Sequence, residues 1–112
     1  MTDHKEVVKG RIVMRDGSRP VRAAEVRVYD KDMIVDDHLG TTTTDVDGGF
    51  EVDFRWSDFK EGVFEARPDI YVKVKNPATG KTTKSKVYEE LQGDLAADDS
   101  VEIMDLGDIA VD

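Results

Sequence analysis

Apolar and polar positions alternate with a period of two along much of this chain. From Glu6 to Met14, Val8, Gly10, Ile12 and Met14 share one face, and Lys9, Arg11 and Val13 the other. Successive side chains of a strand point to opposite faces, so this pattern predicts a half-buried strand. Glu25 to Asp30 repeats it, with Val26 and Val28 inward and Arg27 and Tyr29 outward. Phe50, Val52, Phe54 and Trp56 alternate with Glu51, Asp53 and Arg55, and these large side chains are expected to dominate the core. Ile70, Val72 and Val74 stand against Tyr71, Lys73 and Lys75. Lys81 to Tyr88 reads as an exposed strand whose lysines guard an edge. At the C-terminal end Val101 and Ile103 alternate, and Ile109 and Val111 do so after a break at Leu106-Gly107-Asp108.

Turn chemistry separates these runs. Asp16-Gly17 with Pro20, Asp45 to Gly49 (DVDGG) and Asn76 to Gly80 (NPATG) are turn signals, because glycine accepts positive φ and proline cannot donate to a ladder. Thr41 to Thr44 is β-branched and reads as an edge strand. Residues 1–6 are expected to be a loose tail, Ser57 to Arg67 a connecting loop with at most one helical turn, and Glu89 to Ser100 a long acidic loop. Seven or eight short strands with turns between them, and no run of helical periodicity, predict an all-β fold: one antiparallel sandwich domain over residues 1–112, with Greek-key connections of the immunoglobulin-like kind.

Composition narrows the function. The chain has 112 residues, 25 acidic against 16 basic side chains, a net charge of −9 and no cysteine. Disulfides, thiolate metal sites and thiol catalysis are therefore absent. An acidic chain is not built to neutralise phosphates, which sets nucleic acid aside as a partner. No run approaches the roughly 20 apolar residues of a membrane span. The N-terminal residues lack an apolar signal core, so a cytoplasmic location is favoured for the chain as it stands, with secretion left open. From Glu89 onward there are nine acidic residues and no lysine or arginine, next to the lysine-bearing strand.

In serial order, VVKGRIVMRDGSRPVRAAEVRVYDKD, DDHLGTTTTDVDGGFEV, PDIYVKV and VEIMDLGDIAV resemble the transthyretin-like domains. Val7 to Gly10 with Thr44-Asp45-x-Asp47-Gly48-x-Phe50 is also similar to the carboxypeptidase-regulatory-like sandwich domains, which serve as accessory modules. The resemblance implies a prealbumin-like sandwich and typically no enzymatic activity. The hydrolase branch of that fold, which acts on hydroxyisourate, uses histidines, an arginine and a C-terminal Tyr-Arg-Gly-Ser. Here the chain ends in IAVD, so that activity is only a remote alternative.

The candidate chemistry sits in the loop after Asp30. Asp30, Asp32, Asp36 and Asp37 fall within eight residues, with Asp45 and Asp47 on the next turn. Hard cations take six to eight oxygens, several of them carboxylate, so these aspartates are the candidate ligands of a calcium ion. The run YDKDMIVDDHLG also resembles the third calcium loop of C2 domains. An EF-hand does not fit, because Gly is missing at the sixth position and Glu at the twelfth. The competing reading is a solvated acidic loop in which Asp30 or Asp45 caps a turn. His4 and His38 are far apart in sequence and His4 lies in the expected tail, so a two-histidine metal site is not expected. No serine lies in Gly-x-Ser-x-Gly, and Trp56 continues an inward series. Tyr29, His38 and Leu39 are the candidate binding residues. The expected function is a non-catalytic module without a cofactor. It would recognise a protein or ligand through end loops or an edge strand, or self-associate through such an edge, with calcium-dependent binding as the alternative.

Overall fold

The computed structural model describes residues 5–17, 19–32, 34–55, 68–89, 94–95 and 101–112. The strands are β1 (Lys5–Met14), β2 (Glu25–Asp30), β3 (Asp37–Thr43), β4 (Gly49–Arg55), β5 (Ile70–Lys75), β6 (Thr82–Lys84), β7 (Asp94–Leu95) and β8 (Val101–Val111). They form two four-stranded sheets, the first in the order β4-β1-β8-β7 and the second in the order β3-β2-β5-β6. The all-β sandwich expected from the alternation, and implied by the resemblance to be prealbumin-like, is the fold observed. One ladder is not antiparallel: β1 and β8 run parallel, Val8 beside Met104 and Ile12 beside Ile109. A parallel pair needs a long crossover, which the rest of the chain supplies. β1 opens at Lys5, inside the stretch expected to be a tail, and pairs there with Arg55. Trp56 and the Ser57–Arg67 segment lie outside the described residues.

The core fills the space between the sheets. Val8, Ile12, Phe50, Val52, Phe54 and Met104 come from the first sheet, and Val26, Val28, Ile70, Val72 and Val74 from the second. Each fully buried aliphatic side chain contributes about 1.5–3 kcal/mol, so these rows outweigh any surface interaction. The sheets approach closely at Gly40, where an added Cβ would stand 2.5 Å from Val52 Cγ1.

Two bulges set which side chains face in. In β8, Glu102, Met104 and Leu106 are buried, and then Ile109 and Val111. The phase slips by one residue at Gly107, which has φ 71°, and the pairing with β1 shifts between Lys9 and Arg11. The Gly107 N–H donates to Asp105 Oδ1 at 2.9 Å inside this bulge. Ile103 consequently faces out, 39% exposed, while Glu102 faces in. In β3 the register with β2 shifts between Val28 and Tyr29, so that Gly40 lies opposite Val28 but His38 opposite Tyr29. An extra residue on one strand turns its neighbours over.

Short connections close the ends. Asp45 Oδ1 accepts the N–H groups of Asp47 and Gly49, both at 2.9 Å, and holds the β3–β4 turn. Thr44 is buried; its hydroxyl donates to the Val21 carbonyl at 2.6 Å and accepts the Ala24 N–H at 2.8 Å. Within the stretch read as a long acidic loop, β7 makes a two-residue ladder with β8. Beyond β6, Tyr88 returns to bridge Ile70, so the exposed strand read over Lys81 to Tyr88 is a three-residue ladder and a separate bridge.

Candidate functional site

Alternation in β2 and β5 places Tyr29, Arg27, Tyr71, Lys73 and Lys75 on the side of the second sheet away from the core. The β3 bulge adds His38 to that side and sends Leu39 to the other. Leu39, expected with Tyr29 and His38 as a binding residue, is therefore a core residue, 6% exposed. Tyr29 and His38 do come together: their ring centroids are 5.3 Å apart and tilted by 41°.

Tyr71 completes the cluster. Its ring stacks on Tyr29 with centroids 5.1 Å apart and planes 11° from parallel. Lys73 Nζ stands 5.3 Å from the Tyr29 ring centre and Lys84 Nζ 4.5 Å from that of Tyr71. A cation over a tyrosine face is attracted by the ring quadrupole. His38 Nε2 and Thr41 Oγ1 share a hydrogen bond of 2.7 Å, which fixes the imidazole on the far side of Tyr29. The row His38–Tyr29–Tyr71–Lys84 thus crosses all four strands of the second sheet.

The acidic loop is anchored on this row. The Tyr71 hydroxyl donates to Asp36 Oδ2, and the Asp32 N–H donates to Asp36 Oδ1 at 3.0 Å. The Tyr71 hydrogen bond, followed by that of Asp32, holds the Asp36 carboxyl below the usual aspartate range. Burial and then the neighbouring Asp36 push the Tyr71 phenol up to about 12. The anchored loop leaves Ile34 93% and Val35 71% exposed.

The expected calcium ligands are dispersed. Asp30 faces inward, 3% exposed, and its Oδ1 accepts the Asp69 N–H at 3.1 Å, joining the end of β2 to the approach to β5. Asp32 is exposed, Asp36 is bonded to Tyr71, and Asp37 lies opposite Asp30 in the ladder. Asp45 and Asp47 lie at the other end of β3, in the turn that Asp45 caps. Among the described residues no group of three or more histidine or acidic side chains is placed to hold a metal ion. Asp45 takes the turn-capping role foreseen as the alternative to ligation.

The outward residues of β5 were legible as the polar half of its alternation. Their union with Tyr29 and Asp36 was not, because it depends on the pairing of β2 with β5. Ile34 and Val35 carried a signal that sequence reasoning passed over, two aliphatic residues inside an acidic loop.

A two-sheet sandwich with an aromatic and cationic outer face defines a class of small β module. The chain belongs to the transthyretin-like family, whose model matches residues 9–91. No curated protein sequence matches it. Among solved structures, a 9R-lipoxygenase from Cyanothece PCC8801 is similar over 96% of this chain, with a TM-score of 0.60 and 20% identity. The chain spans 16% of the length of that lipoxygenase. The dioxygenase domain of a dioxygenase carbohydrate-binding protein fusion from Streptomyces sp. SirexAA-E is similar over 99% of this chain and 82% of its own, with a TM-score of 0.58 and 17% identity. At such identities the likeness shows the fold alone. No helix among the described residues is long and apolar enough to cross a membrane.

Proposed function

We propose that this domain is a non-catalytic recognition module that meets a protein partner through the β2–β3 loop and the outward face of the second sheet. The observation that carries the reading is the loop itself. It is fastened to a rigid sheet through Asp36 and Tyr71, yet it holds Ile34 and Val35 in water. Exposed aliphatic pairs on an anchored loop lose free energy to hydration unless something covers them, and loops on rigid scaffolds carry recognition.

The titration behaviour around the face supports the non-catalytic half. Acid–base catalysts are tuned toward neutrality. Here Asp36 moves down, and burial moves Tyr71 and Tyr88 up, so each is locked more firmly in one charge state. The open edge strand β4 supports the choice of face over edge. Its exposed row alternates charged residues, Glu51, Asp53 and Arg55, which blunt an edge against strand addition.

The test is a photo-crosslinking amino acid placed at His38, and separately at Asp53 on the opposite sheet, in extracts of the cells that make the protein. A discrete protein adduct from position 38 alone is expected. No adduct at either position, or the same adducts at both, would overturn the reading.

A further inference from the structure

The charges on the two outward faces are handled differently. On the first sheet, cations stand beside carboxylates. Lys5 Nζ is 3.2 Å from Asp53 and Arg11 is 3.7 Å from Asp108, while Lys9 lies between Glu51 and Asp105 in the ladder. On the second sheet, Arg27 is paired with Glu25 at 3.0 Å and Lys75 lies opposite that same glutamate, while Lys73 has Arg27 and Lys84 as its ladder neighbours. Among the described residues, Lys73, Lys75 and Lys84 form no ion pair. Lys73 and Lys84 rest on tyrosine rings instead. A chain of net charge −9 therefore gathers four cations, Arg27, Lys73, Lys75 and Lys84, on one sheet face, where they outnumber the neighbouring carboxylates of Glu25 and Asp36.

The ladder fixes their arrangement. Lys73 lies opposite both Arg27 and Lys84, and Lys75 opposite Glu25 and Thr82. Together Glu25, Arg27, Lys73, Lys75 and Thr82 line a shallow groove of about 330 Å³. Its cations, Arg27 on β2 and Lys73 and Lys75 on β5, come from two adjacent strands roughly 5 Å apart, and Lys84 of β6 lies beside Lys73 in the ladder.

We propose that this groove, with the adjoining Lys84, docks an acidic peptide segment of the protein partner, whose carboxylates meet Lys73, Lys75 and Lys84 beside the Arg27 guanidinium. The proposal rests on the recognition reading above and names the chemistry of its partner. Charge complementarity selects the sign. Ring geometry selects a peptide over a glycan or a nucleic acid. Sugars and bases bind tyrosine by stacking on an open ring face. The Tyr29 ring stands between Tyr71 and His38, and Tyr71 is 3% exposed, so neither offers one. A long polyanion would also run off this small patch onto the Asp32, Asp36 and Asp37 side of the sheet. A short acidic segment brings a few carboxylates and stops.

An isotope-labelled sample of the whole chain, titrated with an octaglutamate peptide and followed by NMR amide shifts, tests this. Shifts confined to β2, β5 and β6 are expected, weakening as salt is raised. Reversing Lys73→Glu and Lys84→Glu together should lower the affinity about tenfold or more, as loss of close charge pairs does. Should that variant not fold, Lys73→Gln with Lys75→Gln removes charge without adding any, and the same direction of change is required. Shifts elsewhere, or none, overturn the proposal. So does a heparin oligosaccharide or a single-stranded oligonucleotide that shifts the same amides at lower concentration. A crosslinked partner at position 38 with no response to octaglutamate would leave the recognition reading standing and sink only the acidic-peptide chemistry.

Discussion

The Tyr71 hydroxyl donates a hydrogen bond to the Asp36 carboxylate across 35 positions of sequence, and it joins the β2–β3 loop to the middle of the second sheet. Tyr71→Phe keeps the ring stacked on Tyr29 but removes the donor. The Asp36 carboxyl should then titrate higher, toward its ordinary value, since the lost bond is the largest of its shifts. The Asp32 N–H, held by the same carboxylate, should exchange with solvent faster. Carboxyl-carbon NMR titration and hydrogen exchange of the Asp32 amide check both, and unchanged exchange would show that the loop is held by something else.

The same pair gives stability a pH dependence at both extremes. The fold lowers the Asp36 pKa, so its contribution is present above the ordinary carboxylate range and lost as pH falls through the lowered value. It raises the Tyr71 pKa from 10.0 to about 12. That contribution is full below pH 10.0 and lost as pH climbs toward 12, because the folded state resists ionisation more than the unfolded chain does. Tyr88 acts in the same direction through burial. Urea midpoints measured through this alkaline window should fall more steeply in the parent than in Tyr71→Phe.

Calcium should leave the melting temperature unchanged at millimolar concentration. Ligand binding raises stability only where the folded state offers a site. Asp30 faces into the sandwich and holds the Asp69 N–H, while Asp36 is committed to Tyr71 and Asp32. A calcium-dependent rise in melting temperature that disappears in Asp36→Asn would show that these carboxylates rearrange around an ion.

The reach of sequence reasoning is seen best in β3 and β8. The alternation of Val26, Val28, Phe50, Val52, Phe54, Val72 and Val74 places those residues in the core, and there they lie. Val101 and Ile103 alternate just as cleanly, yet Glu102 and Met104 are the inward residues. The phase of a strand is set by the register it must keep with its neighbour, and the bulge at Gly107 resets it halfway. Leu39 moved from the expected site to the core for the same reason, one extra residue in β3. Spacing of aspartates in the sequence likewise said nothing of direction. Asp30 continues the inward series of Val26 and Val28, so the rule that placed those valines also takes Asp30 out of the loop.

Ala23 has a φ of 60°, the one non-glycine residue with positive φ among those described. Its exposed side chain contributes no packing, and its N–H donates to the Thr44 carbonyl at 3.1 Å, so the backbone is held in place. A Cβ in the left-handed region costs about 1–2 kcal/mol, part of which glycine returns as entropy of the unfolded chain. Ala23→Gly should therefore stabilise the domain by about 0.5–1 kcal/mol, read as a higher urea midpoint at constant slope. A lower midpoint would mean that the turn is not strained.

Gly40 and Val52 meet across the sandwich, and only one of them can carry bulk. A Cβ on Gly40 would meet Val52 Cγ1 at 2.5 Å, with Val52 Cβ behind it at 3.7 Å. The valine is 6% exposed and sits in a packed core, so it has little room to turn away. Gly40→Ala should cost about 1–3 kcal/mol, the usual range for overpacking. Val52→Ala alone should also destabilise, by loss of burial and a residual cavity. In the double variant the new methyl fills space that the valine vacated, so the two losses should add to less than their sum. A coupling of about 0.5 kcal/mol or more in the favourable direction is expected for residues in contact. Strict additivity would mean that the sheets separate at this point without cost, and that the spacing of the two layers is set elsewhere in the core.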